Sequence, residues 1–301
     1  PAMPSCALSV VIPFYGDPAA TLPLLEQLKA QVDAPDFEVI VSDDCSPEPF
    51  PDVPGVKVIR RQTNGGFGSA VSTGIAAATG TYVLILNSDV ELEPNFLGSY
   101  YRAALPWMPA IVTPAVINEV GATHWNGRHF PNALHQGIEW LTPLARLRHL
   151  PVLHELVGHD TLADNTHTEV ADWVVGAAML LPRQAFAAVG GFDSRFHMNS
   201  EEVDLQLRLR QLGLPSVVLS QPTLVHAGGG SSASDKRRQW LVDSRFIYAD
   251  KWHGPSGVKR LRATLKTASY INFAWNLTRQ MRGVDVAARE RLATELAFLP
   301  A

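Results

Sequence analysis

Two cysteines, Cys6 and Cys45, are the entire cysteine complement of 301 residues. That excludes a disulfide framework and a cysteine-rich metal cluster, and it predicts a reducing, cytoplasmic setting. Positive charge is also scarce. The formal net charge is −4, so a protein that coats nucleic acid is not expected. No apolar run reaches the roughly 18 residues that span a bilayer, and no signal peptide is visible. The opening "PAM" reads as a cloning remnant, with Met3 as the expected native start. There are no internal repeats and no low-complexity runs. What is present is ordinary globular composition, 46% hydrophobic and 18% charged. That is enough for a sizeable core in one large α/β domain or two modest ones.

The first half alternates short apolar runs with helical patterns. "ALSVVIPF" (7–14) reads as a buried strand that Pro13 stops. "TLPLLEQLKAQV" (21–32) has apolar residues at 22, 25, 28 and 32, a helical stripe. "FEVIVSDD" (37–44) and "VKVIRR" (56–61) are further strands. "GFGSAVSTGIAAATG" (66–80) suits a helix ended by Gly80, and "TYVLILNSD" (81–89) is a fourth strand. This alternation predicts an α/β fold with a single, mostly parallel central sheet and helices on both faces. Ligands of such sheets collect at the carboxyl ends of the strands, where the polar tips "SDD" (42–44) and "NSD" (87–89) lie.

Beyond Pro94 the pattern loosens. "AIVTPAVI" (110–117) is a strand, but residues 118–168 are rich in His, Asn, Gly and Pro and read as a long irregular excursion. Order returns at "DWVVGAAMLLP" (172–182). "SEEVDLQLRLRQLG" (200–213) is a helix with Ser200 as its expected N-cap and acids in its first turn. "PSVVLSQPTLVHAGGGSS" (215–232) gives two short strands and a glycine-rich loop, and the remainder from about 236 is helical.

Four polar clusters therefore fall on the predicted ligand edge: Asp43/Asp44, Asn87-Ser88-Asp89, Glu201/Glu202 and His226. Carboxylate and imidazole suit Mn²⁺, and carboxylate with water suits Mg²⁺. A cation held by so few protein groups completes its shell with substrate phosphates, which points to a nucleotide diphosphate. Glu202 then becomes a general base for an acceptor hydroxyl. The bland readings are a turn aspartate at 89, first-turn helix acids at 201 and 202, and a structural histidine at 226.

Together these motifs make the chain resemble the inverting glycosyltransferases of family 2, which have the nucleotide-sugar-binding GT-A fold. "SVVIPFYG" is similar to the family's opening strand and "VSDDCS" to its nucleotide-binding strand end. "NGGFGSAVSTGIAAATGTYVLILNSDVEL" is similar to the donor-binding helix and the metal motif. "DWVVGAAMLLPRQAFAAVGGFDSRFHMNSEEVDLQLRLRQLG" and "LVHAGGGSS" are similar to the acceptor side and the metal-binding histidine segment. The finer likeness is to the rhamnosyltransferase-type branch that builds bacterial cell-surface polysaccharide. The resemblance implies a nucleotide-diphosphate sugar donor contacted by Pro13, Tyr15, Asp43, Asn64, Gly68, Asn87 and Ser88. It also implies a metal at Asp89 and His226, a base at Glu202, and a sugar and acceptor pocket at Trp173, Gly176 and Glu201. Arg245 is assigned to the donor phosphates, against a solvated helix face. The implied acceptor is a saccharide, free or lipid-linked. The implied organisation is a catalytic domain over 1–235, with 118–168 as its acceptor-side insertion, and a helical extension over 236–301. Two departures stand out: the metal motif is Asn-Ser-Asp, and the base motif is Glu-Glu where Glu-Asp is usual. The competing functions are a nucleotide-sugar-forming nucleotidyltransferase, whose glycine-rich basic loop "PFYGDPAA" lacks, and a non-catalytic sugar-binding relative.

Residues 258–282, "VKRLRATLKTASYINFAWNLTRQMR", hold six Lys/Arg and no acid among aromatic and aliphatic residues. They predict a peripheral contact with the inner face of the cell membrane. The competing reading is a helix packed on the core or on a second subunit of a homodimer.

Overall fold

The computed structural model describes residues 6–147, 149–226 and 234–300. In chain order the elements begin β1 (Leu8–Phe14), α1 (Thr21–Lys29), β2 (Phe37–Asp43), β3 (Val56–Arg60), α2 (Phe67–Ala76), β4 (Tyr82–Leu86), β5 (Val90–Glu91) and α3 (Phe96–Ala104). They continue β6 (Ile111–Ile117), β7 (Gly127–Arg128), α4 (Ala133–Trp140), α5 (Pro151–Leu156), β8 (Glu169–Ala171), β9 (Trp173–Val174) and β10 (Ala178–Pro182). The last are α6 (Arg183–Ala188), α7 (Glu201–Gln211), β11 (Ser216–His226), α8 (Ser234–Met281) and α9 (Ala288–Ala297). The chain divides into two compact units, one of 1–128 with 162–231, the other of 129–161 with 232–301.

The first unit holds the sheet, ordered β3-β2-β1-β4-β10-β6-β11-β5, with β8 beside β11 and a separate β7–β9 pair. β3, β2, β1 and β4 run parallel, and so do β6 and β11. β10 runs antiparallel between β4 and β6. The central strands are mostly apolar because both their faces are buried; Ser9 of β1 and Thr113 of β6 are buried polar exceptions. Val10, Ile12, Leu84 and Leu86 enter one core, with α1 and α3. Val11, Val83 and Ile85 enter the other, with α2, α6 and α7. Each fully buried aliphatic side chain contributes about 1.5–3 kcal/mol. An exposed pair such as Lys29–Glu26 adds less than about 1 kcal/mol, so the two cores set the register.

Several boundaries depart from the sequence reading. Pro13 lies inside β1, paired with Ser42. Pairing of β1 to β4 ends at Val11, so the missing N–H of Pro13 leaves no gap on that side. α2 ends at Ala76 rather than near Gly80. Ala77 and Ala78 N–H close the helix on Gly74 O and Ile75 O, and the two that follow are captured from outside it: Thr79 N–H donates to Glu38 Oε1 and Gly80 N–H to Ser9 Oγ. "DWVVGAAMLLP" divides into β9 and β10 around residues 175–177. β11 is one strand rather than two, with a register shift between Val218 and Thr223. Ser200 precedes α7 but has φ 63° and makes no side-chain cap. With Asn199, at φ 69°, it forms two consecutive left-handed residues.

The second unit collects α4, α5, α8 and α9. The excursion that looked irregular thus contains two helices and a 3₁₀ turn at Thr142–Leu147. α8 is broken at Gly254 (φ 61°, ψ −164°), ahead of Pro255. Its core is Trp140, Val242, Phe246, Leu261, Leu265 and Phe298 with their neighbours. Among the described residues no helix is long and apolar enough to cross a membrane.

One glycine controls the approach to the ligand edge. Gly66, ahead of α2, has φ 85° and ψ −179°, a region essentially closed to other residues. A Cβ there would lie 1.7 Å from the His197 carbonyl oxygen. Gly66→Ala is therefore expected to lose more than the roughly 1–3 kcal/mol of backbone strain alone, measured as a lower urea midpoint at unchanged m-value.

Candidate functional site

The rim of the first unit's sheet is built from strand ends, and each owes its shape to local hydrogen bonding. At the end of β2, Asp43 is wholly buried. It accepts from the N–H groups of Ser46 (2.9 Å) and Phe50 (3.1 Å) and from Arg60 Nη1 (2.7 Å). Burial acts to raise its pKa, but these bonds prevail and hold it below the ordinary carboxylate value. Its oxygens are thus committed to the 43–50 turn. Asp44 turns the other way. It accepts from the N–H groups of Gly65 (3.0 Å) and Gly66 (2.7 Å) and pairs with Arg61 at 2.8 Å. The β3–α2 loop is thereby clamped between Asp44 and the His197 backbone. Asn64 is exposed at the start of that loop. Gly68 is buried against Phe192, whose Cβ lies 3.0 Å from the position a Cβ would take. Tyr15, just past β1, is half-exposed.

The next strand end carries Asn87, Ser88 and Asp89. Asn87 N–H donates to Ala177 O at 3.0 Å, which ties this turn to the link between β9 and β10. β5 then pairs antiparallel with the end of β11, setting Val90 opposite His226. This brings Asp89 Oδ1 to 3.2 Å from His226 Nε2. The hydrogen bond from His226 is the main cause that lowers the Asp89 pKa, and burial opposes it. One carboxylate oxygen and one imidazole nitrogen converge on a partly open rim, a donor pair that fits a divalent cation with positions left for other oxygen ligands. Among the described residues no cluster of three or more His, Cys, Asp or Glu completes the shell. The "AGGGSS" stretch (227–232), a candidate backbone seat for a diphosphate, lies outside the described residues.

The third part of the rim is the first turn of α7. α7 is fixed to β9 by Gln206, whose side chain binds both N–H (2.8 Å) and C=O (2.7 Å) of Val174. An i,i+4 ion pair between Asp204 and Arg208 at 2.8 Å helps to hold it as well. Arg208 also reaches Val189 O and Gly191 O. Glu201 points inward, is buried, and its Oε2 has no hydrogen-bond partner among the described residues. Burial, reinforced by the charge of Glu202, pushes its pKa well up. Glu202 is partly exposed and faces Gly176, where a Cβ would stand 2.8 Å from Glu202 Oε1 and 3.0 Å from Met179 Cε. Burial raises the Glu202 pKa, against the lowering charge of Arg128. Trp173 pairs with Arg128 across β9 and β7.

The structure thus brings Asn87, Ser88, Asp89, His226, Gly176, Glu201 and Glu202 to one side of one unit. Arg245 belongs to the other unit, where it is buried and ion-paired with Glu139. Two rim residues had no signal in the sequence. His124 has its ring 5.7 Å from that of His226 and its Nε2 3.0 Å from His226 O. Arg128 acts on Glu202 from 74 positions away, and only the β7–β9 pairing puts it there.

Comparisons with known proteins agree with this architecture. Over 275 residues the chain is 27% identical to the Myxococcus xanthus "O-antigen biosynthesis protein RfbC", covering 83% of this chain and 20% of that protein. The chain therefore spans only a fifth of that relative's length. Over 279 residues it is 25% identical to the Mycobacterium tuberculosis "N-acetylglucosaminyl-diphospho-decaprenol L-rhamnosyltransferase", covering 81% of this chain and 86% of that one. Among solved structures, the mannosyltransferase PcManGT of Pyrobaculum calidifontis, with GDP-Man and Mn²⁺, aligns at TM-score 0.54 and 15% identity, covering 98% of this chain and 85% of that one. GalNAc-T7 with UDP, GalNAc and Mn²⁺ aligns at TM-score 0.54 and 16% identity, covering 84% and 52%. At such identities the likeness establishes the GT-A fold. The model of "Glycosyl transferase family 2" matches residues 9–164, more than half of the 301 residues and every strand end from β1 to β7 that frames the rim, and the chain belongs to that family.

Proposed function

We propose that the chain is a metal-dependent, inverting glycosyltransferase that moves a sugar from a nucleotide-diphosphate donor to a saccharide acceptor. The observation that carries this reading is a continuous contact across the rim. Asp89 meets His226 at 3.2 Å, the same turn is bonded through Asn87 to Ala177, and the adjoining Gly176 abuts Glu202. Charge-holding and base groups are thereby mounted on one rigid piece of sheet.

Asp89 and His226 would hold Mn²⁺ or Mg²⁺, whose chemistry is to neutralise the charge that builds on a departing diphosphate. The nucleotide side is assigned to Pro13, Tyr15, Asn64, Asn87 and Ser88. Asp43, Asp44 and Gly68 act by holding the loops that present those groups. Glu202 accepts the proton of the acceptor hydroxyl as its oxygen bonds to the anomeric carbon. The sugar–phosphate C–O bond breaks on the opposite face, so the anomeric centre inverts. Gly176 lets the Glu202 side chain pack close against the backbone, where a Cβ would stand 2.8 Å from Oε1, and Trp173, Gly176 and Glu201 are assigned to the sugar and acceptor side. Burial and the neighbouring Glu202 push the Glu201 pKa up, which disfavours charging both members of the pair. The two relatives' names favour bacterial cell-surface polysaccharide synthesis, with a rhamnosyl donor and a lipid-linked saccharide acceptor.

Three outcomes test this. Glu202→Gln should lower turnover by about 10²–10⁴-fold while the donor still binds by calorimetry; wild-type turnover would remove Glu202 from the role. Because the base must be deprotonated and burial raises its pKa, turnover should fall with decreasing pH through a value above the ordinary carboxylate range. Arg128→Gln, which removes the lowering charge, should move that limb to higher pH in a kcat–pH profile. Finally, a nucleotide diphosphate with Mn²⁺ at about 100 times Kd should stabilise the protein by roughly 2.7 kcal/mol. Asp89→Asn should abolish the manganese-dependent part of that thermal shift, and an unchanged shift would place the cation elsewhere.

A further inference from the structure

α8 is a helix with two apolar faces, and packing within its unit accounts for only one. Beyond the break at Gly254, the residues turned inward are Leu261, Leu265, Ala268, Asn272 and Asn276, all buried. They recur at intervals of four, three, four and four, a continuous helical stripe. Leu261, Leu265 and Ala268 join the Trp140–Phe298 core. Asn272 accepts from Thr142 N–H at 2.8 Å, and its amide donates to Trp140 O at 3.0 Å. This face is occupied.

The other face is left partly exposed. Tyr270 and Ile271 are 48% and 47% exposed, Trp275 39%, Leu277 40% and Met281 80%. Tyr270, Ala274, Leu277 and Met281 form one row at i, i+4, i+7 and i+11, with Ile271 and Trp275 alongside. Clustered apolar exposure of this kind marks an interaction surface rather than ordinary scatter. The charges around it are of one sign. Lys259, Arg260, Lys266 and Arg282 are exposed, and residues 258–282 contain no acid. Six cations in this segment, within a chain of net charge −4, leave the other 276 residues net negative by ten. The surface is thus a local basic and apolar island on an acidic protein. A second copy of the chain would present the same cations to themselves at a two-fold contact, which like-charge repulsion disfavours. An anionic lipid surface supplies the complement to both features. Lys and Arg lie at its headgroup level, and Tyr, Ile, Trp, Leu and Met enter the acyl boundary.

We infer that the outer face of α8 from about Lys259 to Arg282 lies in the plane of an anionic bilayer and docks the protein there peripherally. The inference rests on the exposure and charge of this face and not on the transfer chemistry proposed above. It adds to that chemistry a means of meeting an acceptor whose lipid anchor stays in the membrane.

The test is flotation of the full chain with vesicles of phosphatidylcholine alone and of phosphatidylcholine mixed with phosphatidylglycerol, at low and at physiological salt. The wild type should float with the anionic vesicles and remain below with the neutral ones, and raised salt should weaken the binding. The triple variant Tyr270→Ser, Trp275→Ser, Met281→Ser replaces only exposed side chains, so its circular dichroism and melting temperature should match the wild type while flotation is lost. Charge reversal of Lys259 and Lys266 to Glu should reduce partitioning by more than about fivefold per residue, since each cation near such a surface contributes roughly 1 kcal/mol. Failure of the wild type to float with anionic vesicles overturns the inference. So does flotation that the triple variant retains. A wild-type dimer in sedimentation velocity that the triple variant converts to monomer, without flotation, would assign the face to a second copy and overturn it equally. Slow hydrolysis of the donor in solution should be the same in the wild type and the triple variant. Loss of hydrolysis in both would count against the proposed transfer chemistry and leave the docking result standing.

Discussion

Two residue pairs, Val90 with His226 and Glu91 with Val225, join β5 to the end of β11, and the rim takes its form from them. They bring together Asp89 and His226, which are 137 positions apart in the chain. A ladder this short has little stability of its own. It holds because both partners are anchored elsewhere. β11 pairs with β6 from Ser216 to Val225, and β5 follows directly on β4, whose residues Val83–Leu86 are fully buried. The apolar cores on the two faces of the sheet therefore set the position of two polar atoms at its edge. Packing energy becomes register, and register becomes the 3.2 Å separation of a carboxylate and an imidazole.

Around that pairing, the rim holds groups in states that are unfavourable on their own. Asn199 and Ser200 adopt left-handed conformations immediately before α7, which cost of order 1–3 kcal/mol each. Glu201 is buried with an oxygen that has no partner among the described residues. Such an orphan costs about 1–3 kcal/mol, and keeping the proton on reduces the larger penalty of a buried charge. The surrounding contacts offset these costs: Gln206 on β9, Arg208 on Asp204 and on the 189–191 backbone, and Asp44 on the Gly65–Gly66 N–H groups.

Some of this was legible from residues alone. The strand ends at 43–44 and 87–89 stood out because a buried strand must turn polar where it leaves the core, and the apolar runs before them were unbroken. Other features were misread for local reasons that tertiary contacts overrule. Pro13 reads as a stop until the ladder on one side of β1 is known to have ended. Gly80 reads as a helix end until Glu38 and Ser9 take the N–H groups that would have continued α2. The 118–168 excursion lacks clear periodicity, yet α4 and α5 form there because they pack within the second unit. The partners of Asp43 in the 43–50 turn and of Arg245 at Glu139 are likewise set only by the tertiary structure.

Periodicity and the alternation of strands and helices by themselves determined the fold class and the strand ends at which polar chemistry gathers, while the quoted motifs carried the resemblance to the family. These depend on short-range pattern: which residues alternate, which repeat with helical spacing, and where an apolar run gives way to carboxylates. Only the tertiary structure decided that His124 neighbours His226, that Arg128 acts on Glu202, that Glu202 packs against Gly176, and which face of α8 is exposed. Each of those is a meeting of residues far apart in sequence, set by strand register and helix rotation against a core, and no local pattern encodes it.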